Sequence, residues 1–576
     1  RNSVKKNRKV TQRGEGKMTK KWMGLDPKNL TITGELAFRI NRNFSRLEDK
    51  MYRPEQIFGA DQNGWPGDWE GRTILALALE EAVTHRKAAF LEDNCAALEK
   101  EWNEKGYLKE VYPEGSFNEQ QLSGHNWLLR GLMAVYDNTG EEKYADRVKH
   151  IIKELYLPVA GHYREYPLDP ALRSKGGAEA GNIEGNAING WMLSTDIGCA
   201  YMCFDALTEA YDRFTDWEEA PLLKALLEEM FETFSGIDFE GVCMQTHATL
   251  SALRGILQFY ETTGKEEYLS FAERIFALYQ KKGMTENYAN YNWFGRPLWT
   301  EPCAIVDSYM VAMELYKLTE KEEYLSVANK ILYNGFLAAQ RPNGGFGCDS
   351  CTGAGEEAEF LRVKAYEAYW CCSMRGAEGL SYAARNAVLE DEEGNLTFTN
   401  YVPGDFHTKV ADVHVESAYP VKNQVHISFR NVKKPICIAL YLPEGSKNWK
   451  AVFESAAGHG TDSKDVSAVC KEAATQAPVD KTAEALYQNA GTQQEAGSLR
   501  YIFVTGDGAL ALTFETQRLQ KDTVGDCSNP GLQAFWQGDQ ILGQTEDGTE
   551  ILLSRRMYLE GLEKKPVRIL YGKRKQ

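Results

Sequence analysis

Asn138-Thr139-Gly140-Glu141-Glu142-Lys143-Tyr144 joins the end of one apolar segment, Trp127 to Tyr136, to the start of another, Tyr144 to Leu155. The turn returns as Thr262-Thr263-Gly264-Lys265-Glu266-Glu267-Tyr268 and as Leu318-Thr319-Glu320-Lys321-Glu322-Glu323-Tyr324, with a weaker copy at Thr215-Asp216-Trp217. Each full copy again lies between two apolar segments, Leu250 to Tyr260 and Tyr268 to Tyr279 in one case, Tyr309 to Leu318 and Tyr324 to Leu337 in the other. The aromatic positions are 73, 51 and 56 residues apart, which is room for two helices and their loops, so the repeating unit is a helical hairpin. Closing six hairpins into an (α/α)6 barrel takes about 300 to 350 residues at this period. Residues 60 to 390 supply that length, and the barrel domain is assigned to 23–392.

Beyond Asn395 the texture changes to short segments that alternate with period 2 between Gly and Pro turns: Leu396 to Tyr401, Lys409 to Glu416, Gln424 to Arg430, Ile436 to Leu442, Leu499 to Val504, Ala509 to Glu515, Gln540 to Gly543, Ile551 to Arg555 and Val567 to Tyr571. They predict a β-sandwich over 393–576, interrupted at 457–496 by a loop insertion or an extra helix. The fold class is therefore a multidomain α and β chain. Residues 1–22 carry nine Lys/Arg against Glu15 alone and read as a disordered leader, with Met18 a possible start and no apolar core of a secretory signal.

The 576 residues are 43% hydrophobic and 26% charged, which excludes a disordered chain or a coiled coil, and no apolar run reaches the roughly 18 residues of a membrane span. Net charge is −16, and with the basic leader set apart the body is more acidic still. Such a surface disfavours nucleic acid and anionic membrane, and a neutral substrate suits it.

Twelve cysteines are too dilute for a disulfide scaffold, but their placement is chemical. Cys303 follows Glu301-Pro302, and Cys371 and Cys372 are adjacent. Pro302 suits the first position of a helix, which makes Glu301 its cap and puts Cys303 in the first turn. Cys371 and Cys372 precede a second helical pattern, Ala377 to Ala387, where the helix dipole favours thiolate. One carboxylate and three thiolates make a four-ligand zinc site. Two other readings of the cysteines stand beside it: buried core thiols without metal, or a closed structural site in which Cys348 and Cys351 join Cys303 and one of the pair.

Glu301-Pro302-Cys303 before a helix, with Trp370-Cys371-Cys372 some seventy residues on, resembles the retaining β-L-arabinofuranosidases of glycoside hydrolase family 127. The resemblance implies an (α/α)6 barrel followed by β-sandwich domains. It also implies zinc held by Glu301, Cys303, Cys371 and Cys372, with Cys371 as nucleophile and Glu286, in Met284-Thr285-Glu286-Asn287-Tyr288, as acid/base. It extends to Gly124-His125, to Thr246-His247-Ala248 and to the Asp68-Trp69-Glu70 stretch, so that His125, His247, Asp68, Trp69 and Glu70 are expected to bind substrate; Tyr369, which stands where some members carry another cysteine, is added to that set. The chain departs from the family where a further histidine is expected before Cys199, with Asp196 the nearest polar residue, and in Ser373-Met374-Arg375-Gly376 after the cysteine pair. The implied activity is release of a β-L-arabinofuranosyl or related pentofuranosyl residue from plant-derived oligosaccharides or glycoconjugates. The alternatives are an inverting glycosidase using Asp68, Glu70 and Glu286 around a structural zinc, or a zinc-stabilised carbohydrate-binding protein without turnover. Reduced thiolates point to the cytoplasm, although a cleaved signal peptide would leave no trace.

Overall fold

The computed structural model describes residues 22–59, 64–173, 183–296, 299–349, 367–456, 485–488, 497–521, 523–524, 534–544, 550–558 and 571–572. Among the described residues, twelve α-helices of eight or more residues carry the first part: α1 (Gly34–Leu47), α2 (Asp68–Thr84), α3 (Leu91–Leu98), α4 (Glu119–Thr139), α5 (Glu142–Ile151), α6 (Phe204–Arg213), α7 (Ala220–Ser235), α8 (Thr246–Thr263), α9 (Glu266–Lys282), α10 (Pro302–Thr319), α11 (Glu322–Lys330) and α12 (Cys372–Arg385). The even-numbered helices pack in sequence, α2 on α4, α4 on α6, α6 on α8, α8 on α10 and α10 on α12, and α12 returns to α2. That is a closed inner ring of six. The odd-numbered helices flank it, each against an inner neighbour, so the barrel is (α/α)6 as expected.

Inner helices are covered on all sides, which is why α4 and α10 bury nearly every residue where an outer helix such as α5 buries only a stripe. Close approach needs missing side chains: a Cβ on Gly71 of α2 would fall 2.2 Å from the backbone nitrogen of Leu128 in α4.

The repeated turn is a left-handed helix stop. Gly140 and Gly264 end α4 and α8 at φ +69° and +68°, and the following outer helix starts within two residues. In the third copy Glu320 occupies the same position at φ +57°, where its Cβ is a steric cost that glycine avoids. Its side chain accepts a long 3.4 Å bond from Trp22 Nε1. Glu320→Gly is expected to raise stability by about 0.5–1 kcal/mol, read as a higher urea midpoint. A lower midpoint would mean that the Trp22 contact outweighs the backbone term.

The C-terminal part is a sandwich. A five-stranded sheet runs in the order 23–24, 388–390, 396–398, 436–442, 498–504, and a seven-stranded one runs 485–488, 446–455, 508–516, 424–430, 412–417, 404–407, 30–32. Phe398 of the first meets Phe429 of the second, with ring centroids 6.5 Å apart. A further four-stranded sheet, 518–521, 534–537, 540–544, 550–552, follows.

Two sequence assignments change. Residues 23–24 and 30–32 are strands of the sandwich and 388–390 belongs to it as well, so the barrel spans Gly34 to about Arg385 rather than 23–392. The longest strand among the described residues, Ser446–Ser455, was not expected. The stretch 457–496 lies outside the described residues except 485–488, which form a strand rather than helix. Of the leader, only Trp22 is described, and it is buried; of Val567 to Tyr571, only Tyr571 is described.

Candidate active site

Inner helices α10 and α12 are neighbours, so their N-terminal ends meet. Pro302 opens α10 with Glu301 as cap residue, and Asn290 Oδ1 accepts a 2.7 Å bond from the Glu301 amide. Cys371 caps α12, its amide donating to the Ala368 carbonyl at 3.3 Å. The two helix starts bring Glu301, Cys303, Cys371 and Cys372 together, one potential ligand atom from each lying within 4.8 Å of all the others. Cys303 Sγ is 3.7 Å and Cys371 Sγ 3.4 Å from Cys372 Sγ.

The residues fit a metal ion. Metal–sulfur bonds of about 2.3 Å in a tetrahedron put sulfurs about 3.8 Å apart, close to the spacings seen. Glu301 Oε2 is buried with no hydrogen-bond donor, and burial pushes up both its carboxyl and the Cys303 and Cys372 thiols. A cation is what would let such groups be anionic together. Cys303 and Cys372 are buried, whereas Glu301 and Cys371 are half-buried, so the cluster has an inner and an outer side.

Arg72 of α2 lies beside the cluster, its Nη1 3.6 Å from Cys303 Sγ and its Nε donating to Asp68 Oδ1 at 2.8 Å. The guanidinium carbon stands 3.9 Å from the centroid of the Trp127 ring, on which His247 also stacks. His247 Nδ1 donates to Asp307 Oδ2 at 2.8 Å, and its Nε2 is 3.4 Å from Arg72 Nη2. Arg254 and Arg375 both bind Asp307 Oδ1, and they and Arg130 converge on Glu378. A continuous buried ion network therefore runs from Cys303 into the barrel. Sequence reading gave no role to Arg72, Asp307, Arg254 or Arg375. The available signal was Asp307 itself, a carboxylate inside the apolar run Ala304-Ile305-Val306-Asp307, which must be paired to be buried.

The expected substrate-binding residues divide. Asp68, Trp69 and Glu70 open α2, all buried, and Trp69 meets Tyr369 at 5.9 Å between centroids. Burial lifts the Glu70 carboxyl to about 7. Tyr369 is half-buried, its carbonyl held by the Tyr52 hydroxyl at 2.9 Å, and the half-exposed Trp370 stands edge-on to it beside Cys371. Glu286 is half-buried on the turn between Met284 and Asn290, the residue that grips Glu301.

The two histidines lie deeper, each tied into the protein's own hydrogen bonds. His247 is 2% exposed with both ring nitrogens engaged, one with Asp307 and one beside Arg72. His125 is fully buried: its Nδ1 donates to the Gln121 carbonyl at 2.8 Å and its Nε2 accepts from the Leu108 amide at 3.0 Å. Burial depresses its pKa to about 4. Its unfolded value is about 6.5, so between those pH values the unfolded chain holds a proton that the folded one refuses. Stability is complete above pH ~6.5 and falls by up to about 3 kcal/mol as pH drops through that window. His125→Gln should flatten this limb when urea midpoints at pH 7.5 and 4.5 are compared. An unchanged slope would assign the limb to other groups.

Cys348 is buried with its thiol against Cys372, outside the set of four, and Cys351 lies outside the described residues. Asp196, at the place of the missing histidine, accepts from Trp293 Nε1 and Gln245 Nε2. The residues after the cysteine pair have structural tasks: Arg375 pairs with Asp307, and a Cβ on Gly376 would strike the Phe346 ring at 2.1 Å.

Fold and cluster together define an (α/α)6-barrel protein with a thiol-rich, metal-fitting centre at the N-terminal ends of its inner helices. Residues 101–385 match the family model of the β-L-arabinofuranosidase GH127 catalytic domain, so the chain belongs to that family and is a glycosidase, not a binding protein without turnover. No curated protein matches it in sequence. Among solved structures, a glycoside hydrolase is similar with TM-score 0.59 at 12% identity, covering 94% of this chain and 91% of that one. A GH127 β-arabinofuranosidase gives TM-score 0.58 at 13% identity, with 90% and 85% covered. A GH127 β-L-arabinofuranosidase from Geobacillus stearothermophilus T6 gives 0.57 at 12%, with 89% and 86% covered. At these identities the structures share the fold.

Proposed function

We propose that the chain is a retaining glycosidase that removes β-L-arabinofuranosyl or a related pentofuranosyl residue from plant-derived oligosaccharides or glycoconjugates, with Cys371 as nucleophile. The observation that carries this reading is the asymmetry of the cluster: of its three thiols only Cys371 is half-exposed, at a helix N-terminus, with Trp370 and Tyr369 beside it. Glu301, Cys303, Cys371 and Cys372 would hold zinc, which supplies thiolate character at neutral pH and stabilises the sulfur as a leaving group.

Cys371 Sγ attacks the anomeric carbon as Glu286 gives its proton to the departing glycosidic oxygen. Glu286 then takes a proton from water, whose oxygen attacks the same carbon and releases Cys371 with net retention. Arg72, held by Asp68 and His247, keeps a positive charge beside Cys303 throughout. Glu70 offers a second reading of the proton donor, because its carboxyl is half-protonated near neutrality.

The test is hydrolysis of p-nitrophenyl β-L-arabinofuranoside, with metal content measured on the same sample and the first-formed anomer followed by NMR. About one equivalent of zinc and a β product are expected. An α product would replace this mechanism with an inverting one around a structural metal. Glu286→Gln should cost about 10²–10⁴-fold in kcat/KM; if Glu70→Gln alone does so, the donor is Glu70. No described helix is long and apolar enough to cross a membrane.

A further inference from the structure

The turn that carries Glu286 is clamped from below by two elements distant in sequence. Asn287 Nδ2 donates to the Asn334 carbonyl at 3.1 Å. Asn334 lies in a π-helical turn, Ile331–Phe336, a distortion that recurs at functional positions. The side chain of Asn334 reaches the other way, into the C-terminal hairpin 534–544: its Nδ2 donates to the Asp539 carbonyl at 2.7 Å and its Oδ1 accepts from the Ile541 amide at 2.7 Å. One residue thus ties the Glu286 turn to the last sheet.

The next residue makes the contact tighter. A Cβ at Gly335 would stand 2.2 Å from the Tyr288 carbonyl oxygen, so the two backbones touch. Tyr288 itself adopts φ +60°, and its ring meets Trp536 of the hairpin edge-on with centroids 5.6 Å apart. Lys330 Nζ lies 5.7 Å from the centroids of both rings and pairs with Glu444, a sandwich residue. The hairpin is anchored in turn through Asp539, whose carboxylate accepts from the Tyr441 hydroxyl at 2.6 Å and the Glu444 amide at 3.1 Å.

We propose that the C-terminal hairpin is a working part of the active site: Trp536, acting through Tyr288, and Asn334, acting through Asn287, are positioning residues that fix the Glu286 turn. This rests on the assignment of Glu286 as acid/base. A left-handed tyrosine two residues from an acid catalyst would relax if its ring lost its wall, and proton transfer is sensitive to displacements of about 1 Å.

A misplaced acid is needed least when the leaving group is good. The test compares Trp536→Ala, Trp536→Phe and Glu286→Gln in the full chain, by kcat/KM on methyl and 2,4-dinitrophenyl β-L-arabinofuranosides, with zinc content and Tm measured for each. For Trp536→Ala a loss of about 10-fold or more is expected on the methyl glycoside and less than about 3-fold on the dinitrophenyl one. Zinc content should be unchanged, and Trp536→Phe should recover most of the methyl rate. Glu286→Gln should show the same selectivity, larger. Equal losses on both substrates, or none, in Trp536→Ala while Glu286→Gln is selective would overturn the positioning role alone. Unselective Glu286→Gln would overturn the acid assignment and this inference with it.

Discussion

With Cys371 as the proposed nucleophile, Cys371→Ser should lower kcat by about 10⁴-fold or more, since its loss would leave only binding and the remaining electrostatics. The variant should nonetheless keep close to one equivalent of zinc and a near-normal Tm. The reason lies in burial: Cys371 is on the outer side of the cluster, and Glu301, Cys303 and Cys372 would remain to hold the metal. Cys303→Ser is the informative partner. Its sulfur is fully buried, 3.6 Å from Arg72 Nη1 and 3.7 Å from Cys372 Sγ, so a weaker ligand there should release metal, activity and stability together. Elemental analysis, thermal unfolding and p-nitrophenyl glycoside hydrolysis read all three. A Cys371→Ser enzyme with wild-type activity would make the cluster structural and return catalysis to the carboxylates.

The second large effect is expected where no substrate reaches. Asp307→Asn should destabilise the protein by about 3–5 kcal/mol, the usual consequence of removing one partner from a buried ion network. Burial alone would raise the Asp307 carboxyl, but Arg375, His247 and Arg254 outweigh it and hold the group far below the ordinary carboxylate range. A depressed folded pKa contributes stability that is present above the unfolded value of about 4 and is lost as pH falls below it. Urea unfolding followed by tryptophan fluorescence should therefore show a large deficit for Asp307→Asn at pH 7 that narrows toward pH 3. A deficit under about 1 kcal/mol at pH 7 would mean that Arg254 and Arg375 are satisfied by Glu378 once Asp307 is neutral. Activity should fall too, because His247 and through it Arg72 would lose their anchor beside Cys303.

How much of this was legible depends on how local each signal is. Glu-Pro-Cys and Cys-Cys were readable because helix starts are written in a few adjacent residues, and because a thiol cluster has few chemical uses. The hairpin repeat was readable because a left-handed helix stop demands Gly, or something held in its place, at one position. The polar residues along the inner helices were not. His125 and His247 look alike in sequence, each in an early turn of an inner helix, yet one is held by a backbone amide from residue 108 and the other by a carboxylate in the next-door helix. Only packing chooses the partner, and with it whether a histidine is free for a ligand.

The strands divide in the same way. Val425-His426-Ile427-Ser428-Phe429 alternates cleanly and was found, while Ser446–Ser455 mixes charged, aromatic and small side chains along an inner strand of its sheet and was missed. Residues 23–24 and 30–32 are too short to carry a period and pair with strands more than 350 residues away. By itself, then, the sequence determined the helical-hairpin barrel, the β-rich second half and the four residues of the metal-fitting cluster, since each follows from short-range stereochemistry or from the chemistry of side chains a few positions apart. Tertiary structure alone decided which polar groups are tied up in the barrel, that Arg72 stands against Cys303, and that the last hairpin reaches back under the Glu286 turn. Those are contacts between segments that have no spacing in common until the chain has closed.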